Sequence, residues 1–194
     1  MIFKVSAVLL AAGLSTRMGV DKLLLKHKGK TFLQHSIDLM QELPVFERIV
    51  VTTDVRLKHI ALPLTTKLCI NPHPEQGQST SIKAGVEAAA GTHYLFLNAD
   101  QPLLTLEDLI PILNAANMNP EKIVFPLIDS KPNSPTLFPS SFKDKLINLR
   151  GDIGGKVIRD AHRELWHTVQ PENPENFTDI DNVEDYTKLK GQEP

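Results

Sequence analysis

Cysteine is nearly absent: Cys69 stands alone among 194 residues, which excludes an internal disulfide and any multi-cysteine metal site. It lies in the apolar stretch KLCI and reads as a small packed hydrophobe. Excess charge is missing too. Lys and Arg number 21 against 23 Asp and Glu, a net charge of −2, so the chain lacks the basic footprint that grips a nucleic-acid backbone. Any phosphate it binds is held locally. Histidine clusters are lacking: the seven histidines are scattered, with no His-x-x-x-His or His/Cys grouping, and zinc chemistry has no support. No run is long enough for a membrane span. The opening MIFKVSAVLLAA could pass for a signal peptide, but its apolar part is short and runs into GLSTRMG without a clear cleavage site. A buried first strand in a cytoplasmic protein explains it better.

What is present is an ordinary globular composition, 41% hydrophobic and 23% charged, in a length that suits one domain over residues 1–194. No repeat, low-complexity tract or long linker divides it. Short apolar runs alternate with segments of helical period, the pattern of an α/β domain with a mainly parallel sheet. Strands are expected at Val5 to Leu10, Arg48 to Thr53, Lys67 to Ile70, Tyr94 to Leu97, Lys122 to Phe125 and Leu165 to Val169. Most are continuously apolar, as strands covered on both faces should be. Helices are expected at Thr31 to Glu42, Ser79 to Ala90, Leu106 to Ala116, Phe142 to Leu149, Lys156 to His162 and Val183 to Lys190. Thr105, followed by Glu107 and Asp108, makes a good helix start. Phe3, Phe32, Phe96, Phe125 and Phe138 lie on or beside apolar segments and are expected in the core. The clusters NPHPEQG, KPNSP and QPENPEN mark loops at strand ends.

After the first strand comes LAAGLSTRMGVDK, where Gly13 and Gly19 free the backbone to curl close to an anion that Arg17 and Lys22 can reach. It lacks the Gly-Lys-Ser/Thr of a Walker loop and the Gly-x-Gly-x-x-Gly spacing of a dinucleotide site. A plain glycine turn beside two solvated charges is the alternative. The string LAAGxSxRMGxxK resembles the opening signature of the MobA-like nucleotidyltransferases, and LLLKHKGKTFLQHSID continues the likeness through a hairpin at Lys28-Gly29-Lys30. NPHPEQGQSTSIKAG resembles the nucleotide-contacting loop of the molybdenum cofactor cytidylyltransferase branch, where the guanylyltransferase branch has a Gly-Pro-Leu-like loop. NADQP resembles the strand-end metal motif, RGDIGGK the branch's Gly-Asp-x-Gly segment, and FTDIDNVEDY its closing acidic segment. Two departures are visible: Asn182 and Val183 stand where Thr and Pro are common, and KPNSPTLF replaces a Gly-rich, His-Pro-containing approach to the acceptor.

The resemblance implies a single Rossmannoid, glycosyltransferase-A-like three-layer domain with a mainly parallel mixed sheet. It implies transfer of a nucleoside monophosphate, CMP from CTP being favoured, to the terminal phosphate of molybdopterin with release of pyrophosphate. Such a reaction needs donors to the triphosphate and carboxylates for a hard cation, Mg²⁺. The resemblance nominates Leu10, Ala11, Ala12, Gly13, Ser15, Arg17 and Lys22 for the nucleotide, with Arg17, Lys22 and Asp100 as the catalytic set. Asp100 follows the apolar YLFL and precedes Pro102, at a strand's carboxyl end where α/β sheets bind ligands. Asp181 is the second metal nominee, with Asp179 its competitor. Gly77, Gln78, Ser79 and Ser81 suit close contact with a base and ribose, although a plain N-cap at Ser79 would look similar. Gly85, inside that helix, marks a point of close approach by ligand. Asp152 serves either the acceptor or as cap of a helix starting near Ile153. A molybdenum enzyme or its insertion chaperone is a further implied partner, and neither nucleic acid nor membrane is expected. The rival readings are a GTP-using enzyme of the same fold, an enzyme for another phosphorylated acceptor, and a non-catalytic cofactor carrier.

Overall fold

In the computed structural model, which describes residues 2–14 and 19–191, the first apolar run forms strand β1 (Val5–Ala11). Its side chains alternate between two faces, and both are buried: Val5, Ala7, Leu9 and Ala11 belong to one core cluster and Val8 to another. A strand covered on both faces requires helices above and below it. The elements that follow supply them: β2 (Lys26–His27), β3 (Lys30–Thr31), α1 (Phe32–Glu42), β4 (Glu47–Thr52), α2 (Asp54–Leu57), β5 (Thr66–Ile70), α3 (Gln78–Ala88), β6 (His93–Asn98) and α4 (Leu106–Met118). The second half adds β7 (Ile123–Ile128), β8 (Lys131–Pro132), β9 (Thr136–Pro139), α5 (Lys143–Ile147), α6 (Lys156–Asp160), β10 (Trp166–Val169) and α7 (Val183–Lys190).

The main sheet has the order β10-β7-β9-β6-β1-β4-β5, with β8 paired to β7. Strands β6, β1, β4 and β5 run parallel, and β10 is parallel to β7. Only β8 and β9 are antiparallel to their neighbours in it. The mainly parallel mixed sheet expected from the sequence is therefore present. Leu33, Ile37 and Met40 of α1 and Leu109, Ile112 and Leu113 of α4 fill the first cluster, while Ile82 and Val86 of α3, Leu146 of α5 and Ile158 of α6 fill the second. These two clusters are the two interfaces of a three-layer domain.

Each of the six expected strands is found, with ends shifted by up to three residues. Strand β9 was not expected, since TLFP is short and bounded by prolines, yet it slots antiparallel between β6 and β7. The helix expected over Phe142 to Leu149 is a 3-10 turn followed by α5, and that over Lys156 to His162 stops at Asp160. Helix α1 starts where Thr31 accepts the Gln34 N–H at 3.1 Å, and α4 where Asp108 accepts the Thr105 N–H at 2.9 Å. Cys69 packs against the second cluster, and burial pushes its thiol pKa up. Phe32, Phe96, Phe125 and Phe138 are buried, and Phe3 packs against the core from its edge.

Candidate active site

Parallel strands put their carboxyl ends on one edge of the sheet, and there a cleft of about 570 Å³ opens. Its first wall is the loop leaving β1, with Leu10, Ala12 and Gly13 in the lining. A side chain at Gly13 would meet nothing within 4 Å, so the glycine borders open space. Beneath the loop lies a residue that the sequence did not single out. Arg56 of α2, 4% exposed, donates to the carbonyl oxygens of Ala11 at 2.7 Å and Gly13 at 2.5 Å. Its Nε and Nη2 also donate to the Asp21 carboxylate at 2.6 and 2.9 Å. One guanidinium thus fixes both ends of the glycine loop, which suits its planar fork of donors. The only sequence signal was its place just beyond the carboxyl end of β4.

Asp21 also accepts the Leu23 N–H at 3.1 Å, opening the 3-10 turn that carries Lys22. The Lys22 ammonium bridges two carboxylates, Asp100 Oδ2 at 2.7 Å and Asp181 Oδ1 at 2.6 Å. Burial alone would lower the Lys22 pKa. The Asp100 and Asp181 carboxylates outweigh it and raise the pKa above its ordinary value. Asp100 sits two residues past the end of β6, and its carbonyl accepts the Ile180 N–H at 2.9 Å. Gln101 donates to the Phe177 carbonyl at 2.7 Å. These bonds tie the acidic C-terminal segment to the end of β6. Farther on, Asn182 caps α7, and Ile180 and Leu189 pack on Phe32. Tyr186 donates to the Lys26 carbonyl at 2.9 Å. Docking α7 on the β2–β3 hairpin is what brings Asp181 to Lys22.

Asp179, the competitor, is not one of the two carboxylates that Lys22 bridges. It lines a second cavity rather than the first. Burial, then the Asp100 and Asp181 charges, push its pKa up to about 7. Lys22 therefore joins Asp181, and not Asp179, to Asp100, while Asp179 lies near enough to both for their charges to act on it.

The opposite wall is the start of α3. Gly77, at φ +94°, is its N-cap, and a Cβ there would lie 2.4 Å from the Asp152 Cα. The two loops are in direct backbone contact. Asp152 accepts the Gln78 N–H at 3.3 Å, so it caps α3 rather than a helix near Ile153, and it lines the first cleft with Gln78. Asn71, another residue missed in the sequence, donates to Thr80 Oγ1 and Ser81 Oγ, both at 2.9 Å, and holds the first turn.

Three nominated positions need correction. Gly85 does not face the cleft: a Cβ there would stand 2.4 Å from Val8 Cγ1, so the glycine serves close packing of α3 on β1. Ser79 and Ala11 are buried, 3% and 0% exposed, and line neither cavity. The N-cap is Gly77 instead of Ser79. Ser15 and Arg17 lie outside the described residues.

The fold family implies a divalent cation, and the donors present fit one. Asp100 Oδ1 is buried with no hydrogen-bond partner among the described residues, while Asp100 Oδ2 and Asp181 Oδ1 already converge on a positive charge. No group of three or more His, Cys, Asp or Glu suited to a metal occurs among the described residues. Magnesium is commonly held in this way, by one or two carboxylates with phosphate oxygens and water completing the shell.

A glycine loop, a half-buried ammonium and paired carboxylates at the carboxyl edge of such a sheet are groups suited to a phosphate-bearing ligand. The fold matches that of a nucleotidyl transferase from Methanothermobacter thermautotroptrophicus, with a TM-score of 0.79 and 22% identity, covering 97% of this chain and 96% of that one. The chain belongs to the MobA-like NTP transferase domain family, which matches residues 7–166, and is a nucleotidyltransferase. Among its relatives, the molybdenum cofactor cytidylyltransferase of Escherichia coli K12 is 28% identical, over 96% of this chain and 95% of that protein. A probable molybdenum cofactor guanylyltransferase of Rhodopirellula baltica is also 28% identical, over 84% of this chain and 77% of that protein. No helix among the described residues is long and apolar enough to cross a membrane.

Proposed function

We propose that the protein is a molybdenum cofactor cytidylyltransferase, which moves CMP from CTP to the terminal phosphate of molybdopterin and releases pyrophosphate. The observation that carries the reading is the Lys22 ammonium held between Asp100 and Asp181 at the foot of the glycine loop. An acceptor phosphate oxygen attacks the α-phosphorus of CTP, the bond to the β-phosphate breaks, and pyrophosphate departs with that electron pair. No protein nucleophile is needed. Asp100 and Asp181 would hold the Mg²⁺, which supplies charge compensation and Lewis acidity at the α-phosphate. Lys22, kept protonated, offers its charge to the triphosphate. The backbone of Ala12 and Gly13, pinned by Arg56, gives the phosphates a fixed bed that does not reorganise during reaction.

The choice of CTP rests on the wall at Gly77, Gln78 and Ser81. Its backbone is pressed against Gly151 and Asp152, which leaves a small polar surface suited to a pyrimidine, whereas a larger purine would leave its groups unpaired. Pyrophosphate release with molybdopterin and Mg²⁺, measured in turn with CTP, GTP, ATP and UTP, tests the proposal. Fastest turnover with CTP is expected. Turnover with GTP equal to or above that with CTP would overturn the base assignment, and none with any nucleotide would overturn the acceptor.

A further inference from the structure

The second cavity, about 320 Å³, adjoins the first and shares Leu10, Gln78 and Asn98 with it. The two cavities are therefore contiguous across these three residues. One side is apolar, formed by Leu10, Ile82 and Phe96. The far side carries two cations from α6, Lys156 and Arg159. Lys156 is exposed, whereas Arg159 is 4% exposed. A guanidinium so buried is normally saturated with acceptors. This one stacks over the Phe125 ring at 4.9 Å and donates through Nε to Asp160 at 2.9 Å. It makes no other hydrogen bond among the described residues.

These two cations line the second cavity and not the first, where Lys22, Asp100 and Asp181 lie, and the phosphate-transfer chemistry does not use them. We infer that Lys156 and Arg159 form a second anion subsite, and that the acceptor carries an anionic group at the end away from its reacting phosphate. The inference deepens the proposed reaction and rests on it for the position of the phosphate. The substrate class is a phosphorylated molecule with an apolar, roughly planar middle and a second negative end. A phosphorylated neutral polyol would offer an anionic acceptor neither to Lys156 nor to the Nη groups of Arg159, which Asp160 does not engage.

Equilibrium binding of molybdopterin to the intact, nucleotide-free protein tests this without requiring turnover. Lys156→Ala should raise the Kd about ten- to a hundredfold, the scale of one charge-assisted contact, while the Kd for CTP stays unchanged. Arg159→Lys keeps the charge and the stem but loses the fork, and should weaken molybdopterin binding in the same direction. Lys156 is exposed, so its variant is safe to fold even if the Arg159 variant is not. In the wild type, 2-C-methylerythritol 4-phosphate should bind at least tenfold more weakly than molybdopterin. Unchanged molybdopterin affinity in Lys156→Ala, or equal affinity for the polyol phosphate, overturns the subsite. Lys156-dependent binding without pyrophosphate release would instead sink the catalytic proposal and leave the subsite standing.

Discussion

Asp100 and Asp179 are both partly buried carboxylates near one ammonium, yet their surroundings assign them different chemistry. Asp100 gives one oxygen to Lys22 and keeps the other unpartnered. Asp179 accepts no hydrogen bond from Lys22 and also keeps one buried oxygen unpartnered among the described residues, and its pKa is pushed up to about 7 by burial and by its two charged neighbours. Asp100→Asn retains the shape and one acceptor for Lys22 but loses the charge. The expected result is a fall in turnover of about a hundredfold or more, the scale of losing one preorganised charge, with a higher Mg²⁺ requirement and a nearly unchanged melting temperature. Asp181→Asn should act the same way, more mildly. Asp179→Asn should leave the Mg²⁺ requirement alone. A Mg²⁺ titration of turnover in the three variants checks this, and a shifted requirement in Asp179→Asn alone would reverse the choice between the two C-terminal aspartates. Asp100 was legible in the sequence because an apolar strand and a proline bracket it. Asp181 was already the second nominee ahead of Asp179, but the reason it reaches Lys22 was not legible, because it depends on how the segment is hung from the Asp100 carbonyl.

Helix α3 shows how an element can be read correctly and one of its residues misread. Its position followed from the period of its apolar residues, and Gly77 at its start does border the cleft. Gly85 was taken as a ligand contact because a glycine inside a helix needs a reason. The reason is that Val8 of β1 and Val51 of β4 fill the space where a side chain would go, at 2.4 and 3.3 Å. Gly85→Ala should therefore destabilise the protein by about 1 to 3 kcal/mol through overpacking while leaving CTP affinity intact. Urea unfolding and CTP titration separate the outcomes: lost affinity at full stability would restore the ligand-contact reading. Packing of this kind is set by distances between layers, which period and propensity do not carry. Arg56 was invisible for a similar reason, since its partners Ala11, Gly13 and Asp21 lie 35 to 45 residues away in sequence.

Across the whole molecule, the parallel strands separate a reactive end from a structural end. The first gathers Lys22 with Asp100 and Asp181, 78 and 159 residues distant in sequence, and leaves buried acidic oxygens unpaired. The second is closed by Glu47 at the start of β4, whose two carboxylate oxygens are both hydrogen-bonded. Glu47 accepts from Ser6 Oγ at 2.6 Å, from the Ala90 and Gly91 N–H groups at 2.6 and 3.2 Å, and from Lys67 Nζ at 2.5 Å. One carboxylate thereby joins β1, β4, β5 and the chain leaving α3. Burial alone would raise its pKa, but the hydrogen bonds from Lys67, Ser6 and Ala90 outweigh it and hold the carboxyl below its ordinary range. A depressed folded-state pKa stabilises the fold above the unfolded value, about 4.3, and the contribution disappears as pH falls through the folded value. Glu47→Gln should therefore cost about 1.5 to 3 kcal/mol at pH 7, as expected for charge-assisted bonds. The gap from wild type should narrow steadily below about pH 4.3. Denaturant unfolding at pH 7, 5 and 3.5 reads the gap directly, and a gap independent of pH would show that shape rather than charge holds this end. CTP affinity should be the same in both proteins, because the carboxylate lies at the opposite end of the strands from the cleft.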